Sequence, residues 1–274
     1  MTDDTMAWRR GLEWSAKGPR RAIERATPTE TAIGLSFDGR PHTVLMATPA
    51  DIEDLAVGFT LTEGVAAYGD IGEVTVKAAA EGVLVDLRLS PSSRVRKARP
   101  RTLEGRSSCG LCGVQRLADA ARPLPLVVSE QRFHPWAVQR AVAALGQRQR
   151  LGRLTRATHA AAFAAADGQL GPVREDIGRH NALDKLAGGL SRAGIDPAAG
   201  FVVVTSRCSF EMVEKTARLG CPMIVAISAP TDLAIRKAEE AGIALVALAR
   251  DDGHTVFSRA DRMESGATEL RHVG

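Results

Sequence analysis

Between Phe201 and Ala249 short apolar runs alternate with amphipathic stretches, and the joints are too tight to permit many folds. Phe201-Val202-Val203-Val204-Thr205 has the length and β-branched content of a strand. Ser209 stands where an N-cap belongs, ahead of a helix over Phe210–Leu219 with Glu211 near its positive end; Gly220 and Pro222 stop it. Met223 to Ser228 is a second apolar run, Thr231–Ala241 a second helix ended by Gly242, and Ile243–Ala249 a third run. Strand-helix-strand-helix-strand with such short connections predicts right-handed crossovers and a parallel βαβαβ core covered by helices, hence an α/β fold.

The upstream chain predicts a smaller unit. Residues 1–28 are charged and read as a loose arm. Over 29–90 the pattern is α+β: Thr31–Phe37 and His42–Ala47 flank an Asp38-Gly39 hairpin turn, and Val74–Val76 and Val83–Leu89 flank Glu81-Gly82. Between these pairs, Thr48-Pro49 reads as an N-cap followed by a first-turn proline, with Asp51 in that turn, Leu55, Ala56 and Phe59 as the buried stripe and Gly64 as the stop. Residues 91–113 have no hydrophobic period and read as a basic mobile loop. From 114 to the end lies the larger domain: a short helix Val114–Ala121, a longer one from Pro135, a hairpin turning at Asp167-Gly168, a helix after Asp176, and the βαβαβ core.

The loop concentrates the chemistry. Arg94, Arg96, Lys97, Arg99, Arg101 and Arg106 lead into Ser108-Cys109-Gly110-Leu111-Cys112-Gly113, opposed by one Glu104. With only four cysteines in 274 residues, no apolar signal segment at the N-terminus and no run long enough to span a membrane, a cytoplasmic protein with reduced thiols is expected. Aromatic residues make up 4% of the chain, too few to stack single-stranded bases, so no nucleic-acid partner is expected. A structural zinc needs four ligands; Cys208 and Cys221 flank a helix and supply no second clamp, so no resident metal is expected and both read as buried structural thiols. Arg106 and a following helix N-terminus favour thiolate at Cys109. The residues alone leave a nucleophilic carrier and a redox pair both open.

In an open parallel sheet, ligands bind beyond the carboxyl ends of the strands. Thr205-Ser206-Arg207, Ser228-Ala229-Pro230-Thr231 and Arg250 onward converge there, and hydroxyls, a guanidinium and two helix N-termini suit a phosphate. The plainer reading is that the hydroxyls cap helices. Asp176, His180 and Asp184 recur every four residues, which reads either as a histidine oriented by carboxylates or as an N-cap with an ion pair. His159, at the start of a strand, is a further polar candidate.

Four segments together resemble the FdhD family of formate dehydrogenase accessory sulfurtransferases. They are Ser108–Gly113, Thr158–Phe163, Glu175–Lys185 (EDIGRHNALDK) and Thr205–Lys215 (TSRCSFEMVEK), with Ala56–Gly64 and Ser228–Thr231 matching as well. The resemblance implies a C-terminal three-layer α/β/α domain like cytidine deaminase without its zinc, and a homodimer. It implies that a cysteine desulfurase passes sulfur to Cys109 as a persulfide, with Cys112 as auxiliary thiol. The sulfur would go to the molybdenum or tungsten of a bis-molybdopterin guanine dinucleotide, bound as substrate for later use by formate dehydrogenase. The resemblance places cofactor contacts at Leu248, Ala249, Arg250, Asp251, Asp252 and Gly253; the strand-end residues Ser206, Arg207, Ser228 and Thr231, and His180, are expected to join them. Only Arg250 is cationic in the segment 248–253, and Asp251 and Asp252 would repel a diphosphate. Rival readings are a non-catalytic chaperone that shelters the cofactor and a metal-binding regulator built on the CxxC.

Overall fold

The computed structural model describes residues 4–16, 18–91 and 123–264. Cys109, Cys112, the basic run Arg94–Arg106 and the helix expected over Val114–Ala121 lie outside the described residues.

Strands β3 (Thr31–Phe37), β4 (Arg40–Ala47), β5 (Ile71–Ala79) and β6 (Gly82–Leu89) form one sheet in the order β4-β3-β6-β5. The β3–β4 turn is the expected Asp38-Gly39, with φ of 50° and 74°, the left-handed pair that matches strand twist. Helix α1 (Ile52–Thr62) covers one face, setting Leu55, Ala56 and Phe59 on Ile33, Leu35, Val85 and Leu87.

The second sheet has six strands: β7 (His159–Ala165), β8 (Leu170–Asp176), β9 (Gly200–Val204), β10 (Met223–Ala226), β11 (Ala244–Ala247) and β12 (Thr255–Ser258), in the order β12-β11-β10-β9-β7-β8. Strands β9, β10 and β11 are parallel, as their tight joints require. The hairpin β7–β8 and strand β12 add antiparallel neighbours on either side, so the sheet is mixed rather than parallel throughout. Side chains alternate between two layers. Val202 and Val204 face the layer of α4 (Arg179–Arg192), α5 (Phe210–Leu219) and α6 (Asp232–Glu240); Phe201 and Val203 face α2 (Pro135–Arg148) on the other side. A short helix α3 (Arg150–Thr155) follows α2. Among the described residues no helix is long and apolar enough to cross a membrane.

Three expectations are corrected. The N-terminal segment is not a loose arm: β1 (Met6–Ser15) and β2 (Gly18–Pro28) pair as an antiparallel hairpin. Nearly all of it is exposed, so no buried face stamps a period on its sequence. Helix α1 starts at Ile52, not at Thr48-Pro49, because Asp51 takes a left-handed φ of 51° and Thr48 is engaged elsewhere. Ser209 occupies the N-cap of α5, but its hydroxyl makes no cap and is buried without a partner.

The two sheets are joined through α1 and α4. A Cβ on Gly58 would lie 1.7 Å from the carbonyl oxygen of Asp184, and one on Gly188 would lie 2.0 Å from that of Asp54. Hydrogen on both α-carbons lets the helix backbones touch. Ion pairs flank the contact: Asp54 accepts from Arg174 at 2.7 Å and from Arg192 at 2.5 Å.

Candidate functional site

The topology gathers the polar motifs along one edge of the six-stranded sheet. Because β7 runs antiparallel to β9, it begins where β9 ends, with Ala161 beside Val204. Strand β8 ends at the same edge, with Asp176 opposite His159. His159, the turn Asp176–His180 and the loops after β9, β10 and β11 therefore share an edge spanning about 19 Å from β11 to β8, at about 4.8 Å per strand.

At the β9–β11 end, backbone bonds knit the loops together. Leu248 donates its N–H to Ser228 O, Ala249 to Ala226 O, and Cys208 to Ala229 O, while Thr231 donates to Cys208 O. Arg250 closes a turn onto Gly253 O at 2.7 Å. Several expected ligands are occupied. The Thr231 hydroxyl caps α6 by accepting from Ala234 N, and the buried Ser206 hydroxyl donates to Arg207 O. The Arg250 guanidinium folds back onto the carbonyls of Ile227 and Ala249. Ala249 is fully buried in the core, so only its main chain could face a ligand at this edge. Leu248, Arg250, Asp251, Asp252 and Arg207 are exposed, and Gly253 and Ser228 half-buried.

The β8 end is built on two buried lysines. Lys185 lies 2.7 Å from Asp176, both wholly buried, and also donates to Thr48 O at 2.9 Å. Asp176 further accepts from Thr48 N, Gly178 N and Asn181 Nδ2. Lys215 donates to Asp184 at 2.8 Å, Glu63 at 2.9 Å and the Thr62 hydroxyl at 3.0 Å, and Thr62 donates to Asp184 at 2.6 Å. Burial works against the charge on Lys215, but Asp184 and Glu63 outweigh it and hold the ammonium above its ordinary value. Burial pushes Asp184 up, against the pull of Lys215.

Four-residue spacing does place Asp176, His180 and Asp184 together in sequence, yet neither carboxylate orients the histidine. Asp176 lies in β8, outside the helix, and both carboxylates are taken by lysines. His180 Nε2 is buried without a hydrogen-bond partner. Burial, helped by Arg179 and Lys215, lowers its pKa to about 3, so the ring is neutral. His159 is lowered in the same direction by burial and Arg179. Together they offer uncharged imidazoles at a polar edge.

Cys208 and Cys221 are fully buried free thiols, as expected, and burial pushes each up to about 12. Neither forms thiolate at neutral pH.

Thr48, Asn181, Lys185, Lys215, Thr62 and Glu63 escaped the sequence reading as site-building groups. A polar residue at a strand end looks like a cap until a distant chain segment meets it; Thr48 and Lys185 are separated by 137 positions. The one available signal was the density of polar residues in 175–185, which exceeds what an ordinary helix start needs.

Comparison with known proteins agrees with this architecture. The FdhD/NarQ family pattern matches residues 28–264. The chain is 48% identical over 244 residues to a sulfur carrier protein FdhD of Agrobacterium fabrum, covering 88% of this chain and 90% of that one. It is 44% identical over 255 residues to that of Cupriavidus necator, covering 91% and 88%. A crystal structure of a candidate formate dehydrogenase accessory protein from Desulfotalea psychrophila superimposes with a TM-score of 0.73 at 21% identity, covering 95% of this chain and 100% of that one. This likeness supports the fold, and the family match together with the identities above establishes that the chain belongs to the FdhD/NarQ family.

Proposed function

We propose that the protein is a sulfurtransferase that carries sulfur as a persulfide on Cys109. One observation bears most of the weight: two of its four cysteines, Cys208 and Cys221, are sealed in the core with thiols near 12, which leaves Cys109 and Cys112 to supply a thiolate. The names of the relatives at 44–48% identity support the same reading.

In this proposal the Cys109 thiolate attacks the terminal sulfur of a cysteine desulfurase persulfide. A new sulfur–sulfur bond forms on Cys109 and the donor's cysteine leaves as thiolate. Attack by the Cys112 thiolate on Cys109 Sγ then expels the carried atom as hydrosulfide, oxidising the pair to a disulfide that a cellular thiol reduces. The recipient is the molybdenum or tungsten of a bis-molybdopterin guanine dinucleotide, held as substrate and destined for formate dehydrogenase.

The cradle for that anionic substrate is the β9–β11 end of the edge. Arg207 and Arg250 supply charge, Ser228, Leu248 and Gly253 line it, and neutral His180 offers an imidazole farther along. Asp251 and Asp252 are exposed and turn away a phosphate placed directly over them. The helix layers on both faces of the mixed sheet support the cytidine-deaminase-like reading of this domain.

The test is mass spectrometry after incubation with a cysteine desulfurase and cysteine. The peptide holding Cys109 gains one sulfur, and Cys109→Ala abolishes both that gain and activation of formate dehydrogenase. A Cys109→Ala protein that still gains labile sulfur and still activates the dehydrogenase refutes the proposal. Loss of sulfur with activation intact favours the sheltering chaperone instead.

A further inference from the structure

The hairpin β1–β2 lies almost wholly outside the family match, which begins at residue 28. The body of the protein supports it through β2, which packs against α3 and buries Ala26, while nearly all of β1 stays exposed. A two-stranded hairpin is at best marginally stable by itself in water. Here β1 has β2 as its one strand neighbour among the described residues. Alternation places Trp8, Arg10, Leu12 and Trp14 on one face, where Trp8, Leu12 and Trp14 are 60%, 51% and 73% exposed. Opposite Trp8 and Leu12 stand only Ala26 and Ala22, so these large side chains have no cross-strand partner of their own size.

The charges point further. The segment Met6–Pro28 has six cations and two carboxylates, a formal excess equal to the +4 of the entire chain. On the face away from the tryptophans, Arg9 lies directly opposite Arg25, a like-charge pair that destabilises the hairpin unless an anion joins it. Arg10 is tied to Glu24 at 3.4 Å, and Arg20 lies over the Trp14 ring at 5.2 Å.

We propose that the free edge of β1 receives an extended acidic segment of a partner protein. Main-chain bonds along the edge would add a third strand, and alternate side chains would divide between the faces. Its apolar residues would extend the Trp8–Leu12–Trp14 face, and its carboxylates would lie over Arg9 and Arg25. Two other occupants fit less well. A second copy would bring two hairpins of the same net charge together. An anionic bilayer would meet the tryptophan face while Arg9, Arg21 and Arg25 point away from it.

The test uses the full-length protein and a fluorescein-labelled peptide of alternating Glu and Val, as long as β2, with a Lys-for-Glu peptide as control, read by fluorescence anisotropy. The acidic peptide binds at least about tenfold more tightly than the basic one, equivalent to about 1.4 kcal/mol, and salt weakens it. Trp8→Ser/Trp14→Ser weakens binding by about tenfold or more. Arg9→Gln/Arg25→Gln relieves the like-charge pair and steadies the hairpin, so a purely structural role predicts unchanged or tighter binding; the proposal predicts weaker binding. Equal affinity for both peptides overturns it, as does undiminished binding by the Gln variant. Self-association abolished by Trp8→Ser, or co-sedimentation with phosphatidylglycerol vesicles in place of peptide binding, assigns the surface to another occupant and overturns it too.

Discussion

Gly58→Ala tests whether the two sheets are joined by bare backbone contact. The added Cβ would lie 1.7 Å from Asp184 O, and ordinary van der Waals contact begins near 3.4 Å, so α1 and α4 must separate by about the difference. Both walls are backbone, and no flexible side chain can swing aside. Overpacking of this kind costs about 1–3 kcal/mol. The separation also stretches the 2.6 Å bond from Thr62 to Asp184 and the 2.7 Å bond from Arg174 to Asp54, which straddle the same contact. Charge-assisted bonds are worth about 1.5–3 kcal/mol each, and partial loss of two adds a similar amount. Alanine recovers about 1 kcal/mol of helix propensity. The net destabilisation is about 3 kcal/mol, or about 9 °C in Tm for a chain this size. The control is Gly146→Ala on the exposed side of α2, where nothing lies within 4 Å; it should raise stability by about 0.5–1 kcal/mol. Thermal melts followed by circular dichroism check both. If Gly58→Ala melts within about 2 °C of the parent, the close approach of α1 and α4 is wrong.

Other expectations concern charge and thiols. Lys215→Met leaves the buried Asp184 carboxylate without its cation and should cost about 3–5 kcal/mol by urea unfolding. In that variant Asp184 is raised further and takes up a proton on folding, so its stability should fall as pH rises above the unfolded carboxylate range; a flat profile there would contradict the assignment. His180, lowered to about 3, stays neutral when folded but is protonated in the unfolded chain below about pH 6.5. It thus removes stability as pH falls from there toward 3, and His180→Gln should flatten part of that slope, whereas an unchanged slope would show that the ring titrates freely. Maleimide should spare Cys208 and Cys221 in the native protein and label both in denaturant, and rapid native labelling at either would undo the argument that leaves the chemistry to Cys109 and Cys112. Thr231→Ala should cost about 1 kcal/mol as a lost helix cap, with no loss needed in sulfur acceptance.

Much of the fold was legible because local chemistry carried it. The Asp38-Gly39 turn, the alternating runs around it, the Gly220 stop and the three apolar runs from Phe201 onward all signal through residues close in the chain. The β1–β2 hairpin was not legible, because strands without a buried face lack the period that betrays a strand. Helix α1 was displaced by three residues because Thr48-Pro49 imitates a cap while the Thr48 backbone serves Asp176 and Lys185.

The amino-acid order alone determined the parallel βαβαβ core and the family to which the chain belongs, since both rest on short-range periodicity and on motifs readable in a line. Tertiary structure decided which polar groups act together. Asp176 and Asp184 recur like members of one helix face, yet one closes on Lys185 and the other on Lys215, leaving His180 Nε2 unpartnered between them. Spacing within a helix ranks neighbours, but burial fixes partners: a charge removed from water must find its counter-ion wherever the fold brings one, however far away in the chain.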